Sequence, residues 1–507
     1  MCQLFQQRWY VIVTALLLLG LLAFLAIHSL APTANMKTTT QHSSPPGITT
    51  HQSPTGLANT PQVMITPTLT PTPTIKPNQP LQLSTDPYSN STSQYRTEVE
   101  PSSYAYGTTI VTAFQAGRFV DIGSSNIGWA TSIDGGTSWQ KGFLQGTTKL
   151  AYGPYDRITD PAVTYDAAHN TWMIATVVFI ENQAGIAAPA VVVSLSMNGG
   201  TIWSDPITIL NSGHNRGLDK DWITCDNTPA SPYFGTCYAQ WDDYTRGDLI
   251  EMSTSRDGGR TWGAVKTTAD QARGTSGYPL VQPNGTVIVP ISNANETGIM
   301  VFRSTNGGAS WSRTVPLTPV TSFASNAYFR DNILLTPQVD HAGTIYLVWV
   351  DCRFEPNCRG NDLVMTTSSD GLSWSPVRRI SIAPVGSDID YYVSGLGIDA
   401  ITSGTTAHLG LTFYYYRASC FNNCTLSVGF VSSSNGGGTW SPTIRLAGSI
   451  AGSWVAQGNN KVGDYIATSF SNGQAFPIFA LATAPTAGHF NEAMYTIKGG
   501  IAVSSSS

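Results

Sequence analysis

The chain has 507 residues, only 11% of them charged, and a formal net charge of −5, so it offers no basic field that could hold a nucleic-acid backbone. Its 48 glycines and 13 tryptophans suit a protein of many short strands and tight turns, and its length allows more than one domain.

Residues 1–8 read as a short cytoplasmic tail. From Trp9 to Leu30 the chain is almost wholly apolar and carries no Asp, Glu, Lys or Arg, and about 20 such residues span a bilayer core as a helix. A transmembrane signal anchor over 9–30 is expected, with Arg8 inside and the bulk of the chain exported. The alternative is a signal peptide cleaved near Ser29-Leu30-Ala31, which would leave a secreted protein. Residues 31–93 are rich in Thr, Pro, Ser and Gln and centre on Thr66-Pro67-Thr68-Leu69-Thr70-Pro71-Thr72-Pro73-Thr74. They have too little apolar content to fold and read as a disordered, extended linker.

From residue 94 to 507, apolar and β-branched runs alternate with turn signals, as in Thr108 to Phe114, Asn126 to Thr131, Ala162 to Tyr165, Trp172 to Phe179 and Ala190 to Ser196. No stretch keeps helical period. Six turn sequences punctuate these runs: Ser132-Ile133-Asp134-Gly135-Gly136-Thr137-Ser138-Trp139, then Ser196 to Trp203 around Asn198, Ser255 to Trp262 around Asp257, Ser304 to Trp311 around Asn306, Ser368 to Trp374 around Asp370, and Ser433 to Trp440 around Asn435. The Asp or Asn can accept backbone N–H bonds from the residues ahead of it, the glycines take positive φ, and the Trp folds back as an apolar plug. Successive copies are 64, 59, 49, 64 and 65 residues apart, a period that holds four short strands.

This pattern resembles the Asp box, or BNR repeat, of sialidases and related β-propellers. The resemblance implies an all-β fold, a propeller of four-stranded antiparallel blades in which each box joins the third and fourth strands. The third unit then takes Asp221 to Cys225, Thr236 to Trp241 and Asp248 to Ser253 as its first three strands, and the fifth takes Ile333 to Gln338, Thr344 to Val350 and Asp362 to Thr367. Beyond Trp440, Thr443 to Leu446 finishes the sixth blade. Asp464 to Phe470, Ala475 to Ala482 and Glu492 to Ile497 make a seventh without a box, completed by a strand from around Leu81 to Val99. Seven blades are favoured, with six, the number in sialidases, as the alternative.

Of seven cysteines, Cys2 lies apart and the rest form close pairs. Cys225 with Cys237, Cys352 with Cys358, and Cys420 with Cys424 are expected as disulfides of an oxidising compartment, with reduced thiols or metal ligation as alternatives.

In such a propeller the boxes lie on one face and the second-to-third-strand loops on the other, where ligands sit over the central channel. The sparse charges gather in those second-face loops. The sialidase resemblance implies an arginine cluster on a substrate carboxylate, a Tyr nucleophile paired with a Glu, and an Asp acid/base. Arg157, Arg246, Arg353 and Arg417 could supply the cluster, Tyr415 or Tyr391 the nucleophile, Glu296 or Glu251 its partner, and Asp121 or Asp160 the acid. The Phe-Arg-Ile-Pro motif of sialidases is absent, and Tyr155-Asp156-Arg157-Ile158-Thr159-Asp160-Pro161 is its nearest echo. Asp160-Pro161, Asp219-Lys220-Asp221-Trp222 and Gly463-Asp464-Tyr465 begin inner strands, so their carboxylates could line the channel mouth and offer oxygen ligands to Ca²⁺, although no cofactor or metal is called for. The expected partner is a glycan or polysaccharide, with hydrolysis of a terminal acidic sugar as the enzymatic reading. A non-catalytic carbohydrate- or protein-binding propeller is its rival, and a hydrolase using two carboxylates from separate blades is a third reading.

Overall fold

The computed structural model describes residues 79–504, except 184, 214, 325–333, 422–423 and 459–461. The expected tail and signal anchor, and the linker as far as residue 78, lie outside the described residues, as do Arg330 and Asp331 of the second-face loops. Among the described residues no helix is long and apolar enough to cross a membrane.

The described chain is all-β apart from short 3-10 turns. Its strands fall into seven antiparallel sets, here called modules 1 to 7, whose inner strands are Glu98–Tyr106, Arg157–Asp166, Leu218–Cys225, the split pair Gly274–Thr275 and Leu280–Val281, Thr336–Val339, Asp390–Ile398 and Ala467–Ser471. Modules 1 and 2 are joined into one larger sheet by a single pairing of Ser124 with Ile158. The expected strands of the third, fifth and final units are present, shifted by up to three residues at most ends, and the outer strand of module 6 runs further than expected, Ile444–Ala451.

Module 7 takes its fourth strand from the other end of the described chain: Pro80–Gln82 pairs with His489–Ile497, Leu81 opposite Thr496. The stretch 79–93, assigned by composition to the linker, therefore includes a strand. A short polar strand is stable here because Leu83 is buried and Asp86 accepts from the backbone N–H groups of Tyr88, Arg96 and Thr97. Modules 7 and 1 are also in direct contact, through Met494 N donating to Glu98 and a 2.8 Å bond between the hydroxyls of Ser103 and Ser469.

All six boxes join the third and fourth strands of their modules. In the first, Ser132 Oγ donates to Asp134 (2.8 Å) and accepts from Gly136 N (2.8 Å), while Asp134 also accepts from Thr137 N, Ser138 N and Ser138 Oγ. The Ser-to-Asp or Ser-to-Asn bond recurs in the other five. Each box is seated on the preceding module, and the first is seated on the last. Gly136, at φ +81°, lies so close to Phe476 of module 7 that an added Cβ would be 2.1 Å from the ring.

Gly136→Ala combines an unfavourable left-handed alanine with overpacking, and is expected to destabilise the fold by roughly 2–3 kcal/mol. Gly107→Ala, also at positive φ but with open space around it, is expected to cost only about 1 kcal/mol. Equal losses in chemical unfolding would show that the box is not seated tightly on module 7.

Candidate functional site at the channel mouth

The inner strands share an irregularity. Register shifts fall between Val99 and Ser102, Thr159 and Ala162, Asp219 and Trp222, and Tyr392 and Ser394, and module 4 breaks its inner strand at the same level. Each bulge carries a residue at positive φ: Glu100 (58°), Asp160 (49°), Lys220 (49°), Ser276 (58°) and Val393 (36°). Such conformations cost non-glycine residues about 1–3 kcal/mol each and gather at functional sites.

The bulges bring together a buried charged cluster on the side away from the boxes. Lys220 of module 3 is ion-paired with Asp464 of the segment entering module 7, and lies 3.9 Å from Asp160 of module 2. Asp464 N donates to Glu100 of module 1 (3.2 Å), and Gln115 donates to both Glu100 and Thr159. Glu100, Asp160, Lys220 and Asp464 are each 4% exposed or less, so one buried cation holds three modules together across the axis. Burial, countered by Lys220 and reinforced by Asp219, Glu100 and Asp464, pushes the Asp160 carboxyl up to about 7. Burial likewise raises Asp221 and Asp242 well above the carboxylate range. Both oxygens of Asp221 lack a hydrogen-bond partner.

Beside Lys220 and Asp464 lies a pocket of about 40 Å³ that Trp222, Tyr278 and Tyr465 also line. Trp222 stacks at 4.1 Å on Tyr278 and meets Tyr465 edge-on at 5.5 Å, with the Lys220 ammonium 5.0 Å from the centre of the Tyr465 ring. On the box side the channel opens into a vestibule of about 920 Å³.

The candidate residues read from the sequence are distributed differently. Arg157 is buried at the head of the module 2 inner strand, bonded to Asp121 (2.6 Å) and Glu181 (3.0 Å) and lying over Phe119. Arg246 pairs with Glu251 (2.7 Å), which also accepts from Arg216 and Trp241. Arg353 pairs with Asp351 (2.6 Å), and Arg417 with Asp388 (2.8 Å). Among the described residues no two of these four arginines share a carboxylate. Tyr415 lies half-buried on module 6 beside Tyr391 and Phe413, whereas Glu296 lies in a hairpin of module 4, and no hydrogen bond joins Tyr415 to it. Asp160 and the Asp219–Asp221 and Asp464 segments do converge. Glu100 was missed; the signal for it is Glu100-Pro101, which repeats the acid–proline pair Asp160-Pro161 at the same strand position.

The three expected disulfides are present, Cys225–Cys237, Cys352–Cys358 and Cys420–Cys424. Among the described residues one group of metal-ligating types lies close together, Asp166 with Cys225 and Cys237, and its two sulfurs are bonded to each other. The Ca²⁺ alternative gains no ligand set there.

Six boxes at the third-to-fourth-strand turns of four-stranded antiparallel modules decide the architecture. The fold is β-propeller-like. Solved structures to which the chain is similar include the Hadza microbial sialidase Hz136, at 12% identity over 83% of this chain and 93% of that one with a TM-score of 0.42. They also include the NanB sialidase of Streptococcus pneumoniae, at 13% identity over 83% and 71% with a TM-score of 0.38. A PL25 ulvan lyase bound to a -[GlcA(1-4)Rha3S]- fragment matches at 11% identity over 81% and 96% with a TM-score of 0.47. No protein-family model and no curated protein matches the chain.

Replacing Lys220 by Met removes the cation held against Asp160 and Asp464, a loss expected to cost roughly 3–5 kcal/mol at neutral pH. Because the folded-state pKa of Asp160 lies above its unfolded value, the native protein holds an extra proton between about pH 4 and 7, and stability falls as pH rises through that window. Loss of Lys220 raises the upper edge of the window. The variant's melting deficit is therefore expected to be small at pH 5 and to grow by pH 8. A deficit independent of pH would show that Lys220 acts by packing alone.

Proposed function

We propose that the protein is a membrane-tethered, extracytoplasmic propeller of seven blades that recognises a glycan over the channel mouth and cleaves it with two carboxylates. The observation that carries this reading is the buried cluster of Glu100, Asp160, Lys220 and Asp464, raised on strained bulges where the inner strands converge. Asp160, with a pKa near neutrality, suits a general acid that protonates the leaving glycosidic oxygen. Asp464, held by Lys220, suits the ionised partner. The disulfides support the extracytoplasmic location. Seven modules, with the first in contact with the last, support a ring closed by Pro80–Gln82, which removes open sheet edges.

Substrate charge follows from the same groups. The mouth holds more carboxylates than cations, and the four arginines are each already paired with a carboxylate. A neutral glycan fits this field better than an anionic sugar.

The sialidase-type assignment is the second reading, with Tyr415 and Glu296 as nucleophile pair, Asp121 or Asp160 as acid, and Arg157, Arg246, Arg353 and Arg417 on the substrate. Arg157 favours it: a buried guanidinium three residues ahead of Asp160 on the same strand.

Hydrolysis of fluorogenic glycosides by the purified full-length protein separates the readings. With neutral substrates kcat/KM is expected to fall above about pH 7, as Asp160 loses its proton, and Asp160→Asn to lower kcat by roughly 10²–10⁴. Turnover of a sialoside that is lost in Arg157→Ala and Tyr415→Phe would replace this reading by the second. Glycan binding without turnover of any glycoside would leave a binding propeller.

A further inference from the structure

We infer that the vestibule on the box side is a second ligand site, which takes the end of a neutral oligosaccharide chain. It lies on the box side of Trp222 and Tyr278 and is lined by different residues from the mouth: Lys220, Asp464 and Tyr465 line the smaller pocket and not the vestibule. Its volume of about 920 Å³ is that of a full ligand pocket.

The chemistry of the lining selects the ligand. No Lys or Arg is among the lining residues, so a phosphate, sulfate or uronate would be desolvated without a cation to answer it. Two carboxylates line it: Asp340 is already saturated, accepting from Ala342 N (3.0 Å), Thr344 N (2.8 Å), Tyr346 OH (3.1 Å) and Gly404 N (2.7 Å), and Asp399 accepts from Ile401 N (3.4 Å) and faces His408 at 3.9 Å, so Asp399 alone is left to attract a cationic ligand. An aliphatic ligand would cover the polar groups of Thr224 and Asn472 without offering them hydrogen bonds.

A pyranose chain answers both kinds of surface. Its C–H faces match the rings of Trp222 and Tyr278 at the roof and of Tyr106 at the rim, which is 45% exposed and braced by Tyr165 at 4.6 Å. Its hydroxyls match the polar wall. Thr164 gives the independent sign of a ligand: it lines the vestibule, is 1% exposed, and among the described residues its Oγ1 has no hydrogen-bond partner. A buried hydroxyl left unsatisfied is costly, and a sugar hydroxyl entering the vestibule would satisfy it.

Calorimetric titration of the full-length protein with cello-, xylo-, malto- and chitotetraose, and with tetragalacturonate as the anionic comparison, tests this. At least one neutral tetrasaccharide is expected to bind. Binding is expected to weaken about tenfold or more in Tyr106→Ala and severalfold in Thr164→Val, while tetragalacturonate does not compete. Asp160→Asn, which alters only the mouth, is expected to leave this binding in place, and Tyr106→Ala to leave glycoside turnover in place. If one sugar fills both sites, Tyr106→Ala reduces the stoichiometry from two to one. Absence of neutral-glycan binding, tighter binding of tetragalacturonate, or affinity and stoichiometry indifferent to both Tyr106→Ala and the cavity-filling Thr224→Trp would overturn the inference. Since Tyr106 is exposed at the rim, failure to fold does not confound its variant.

Discussion

A regular inner strand would alternate its side chains between the two neighbouring modules, and nothing charged would reach the axis. The bulge changes that. One residue in the left-handed region re-aims the chain for a single step, so Glu100, Asp160 and Lys220 meet at one level although they belong to three different modules. Glu100 and Asp160 each precede a proline, which itself disfavours the right-handed helical region at the residue before it. The strain is held in place by the ladders on both sides of each bulge, which resume in register within three residues. Among the five left-handed residues Lys220 is the one cation, and the carboxylates around it depend on it: without Lys220, burial would force them to take up protons rather than stay charged.

The boxes impose order at the opposite end and are chemically silent there. The carboxylate of Asp134 accepts from its own turn on both oxygens, and those bonds, led by Ser138, hold its pKa down to about 2. Nothing of that carboxylate remains for a ligand. The repeated motif thus builds the frame, and the unrepeated residues carry the chemistry, because a repeat selected for seating one module on the next must satisfy itself first.

That division explains what was legible in the sequence. Box phase placed Asp221 to Cys225 as an inner strand, found as Leu218–Cys225, and put Asp160, Asp219 and Asp464 at the heads of inner strands, since strand order and face follow from local turn chemistry. The cysteine pairs were legible for the same reason, each closing a short loop. Arginine roles were not legible. Arg246 and Arg353 are taken up by acids within five residues, whereas Arg157 pairs with Asp121 and Glu181, 36 and 24 residues away, a pairing that sequence spacing does not report. A strand from around Leu81 to Val99 was expected to complete the last unit and Pro80–Gln82 does so, but its bounds were not legible in so polar a stretch because its pairing partner lies more than 400 residues away. The bulges were equally hidden, since hydrophobic alternation does not report a single residue out of register.

The two ends of the channel therefore differ in the way that binding physics requires if both are to be used. At the mouth, charge is concentrated and buried, so interactions there are strong and sensitive to protonation. In the vestibule the Asp340 carboxylate is tied into a turn and the described lining, apart from Asp399 and His341, is uncharged, so recognition there rests mainly on shape and hydrogen bonding. Trp222 and Tyr278, whose rings lie 4.1 Å apart, border both environments. A polymer held by its end in the vestibule lies on the box side of these rings, away from the Lys220 cluster. The two sites then act on different chains, or on distant parts of one, and an uncharged anchor on the box face would hold the protein to a polysaccharide without occupying the acidic mouth.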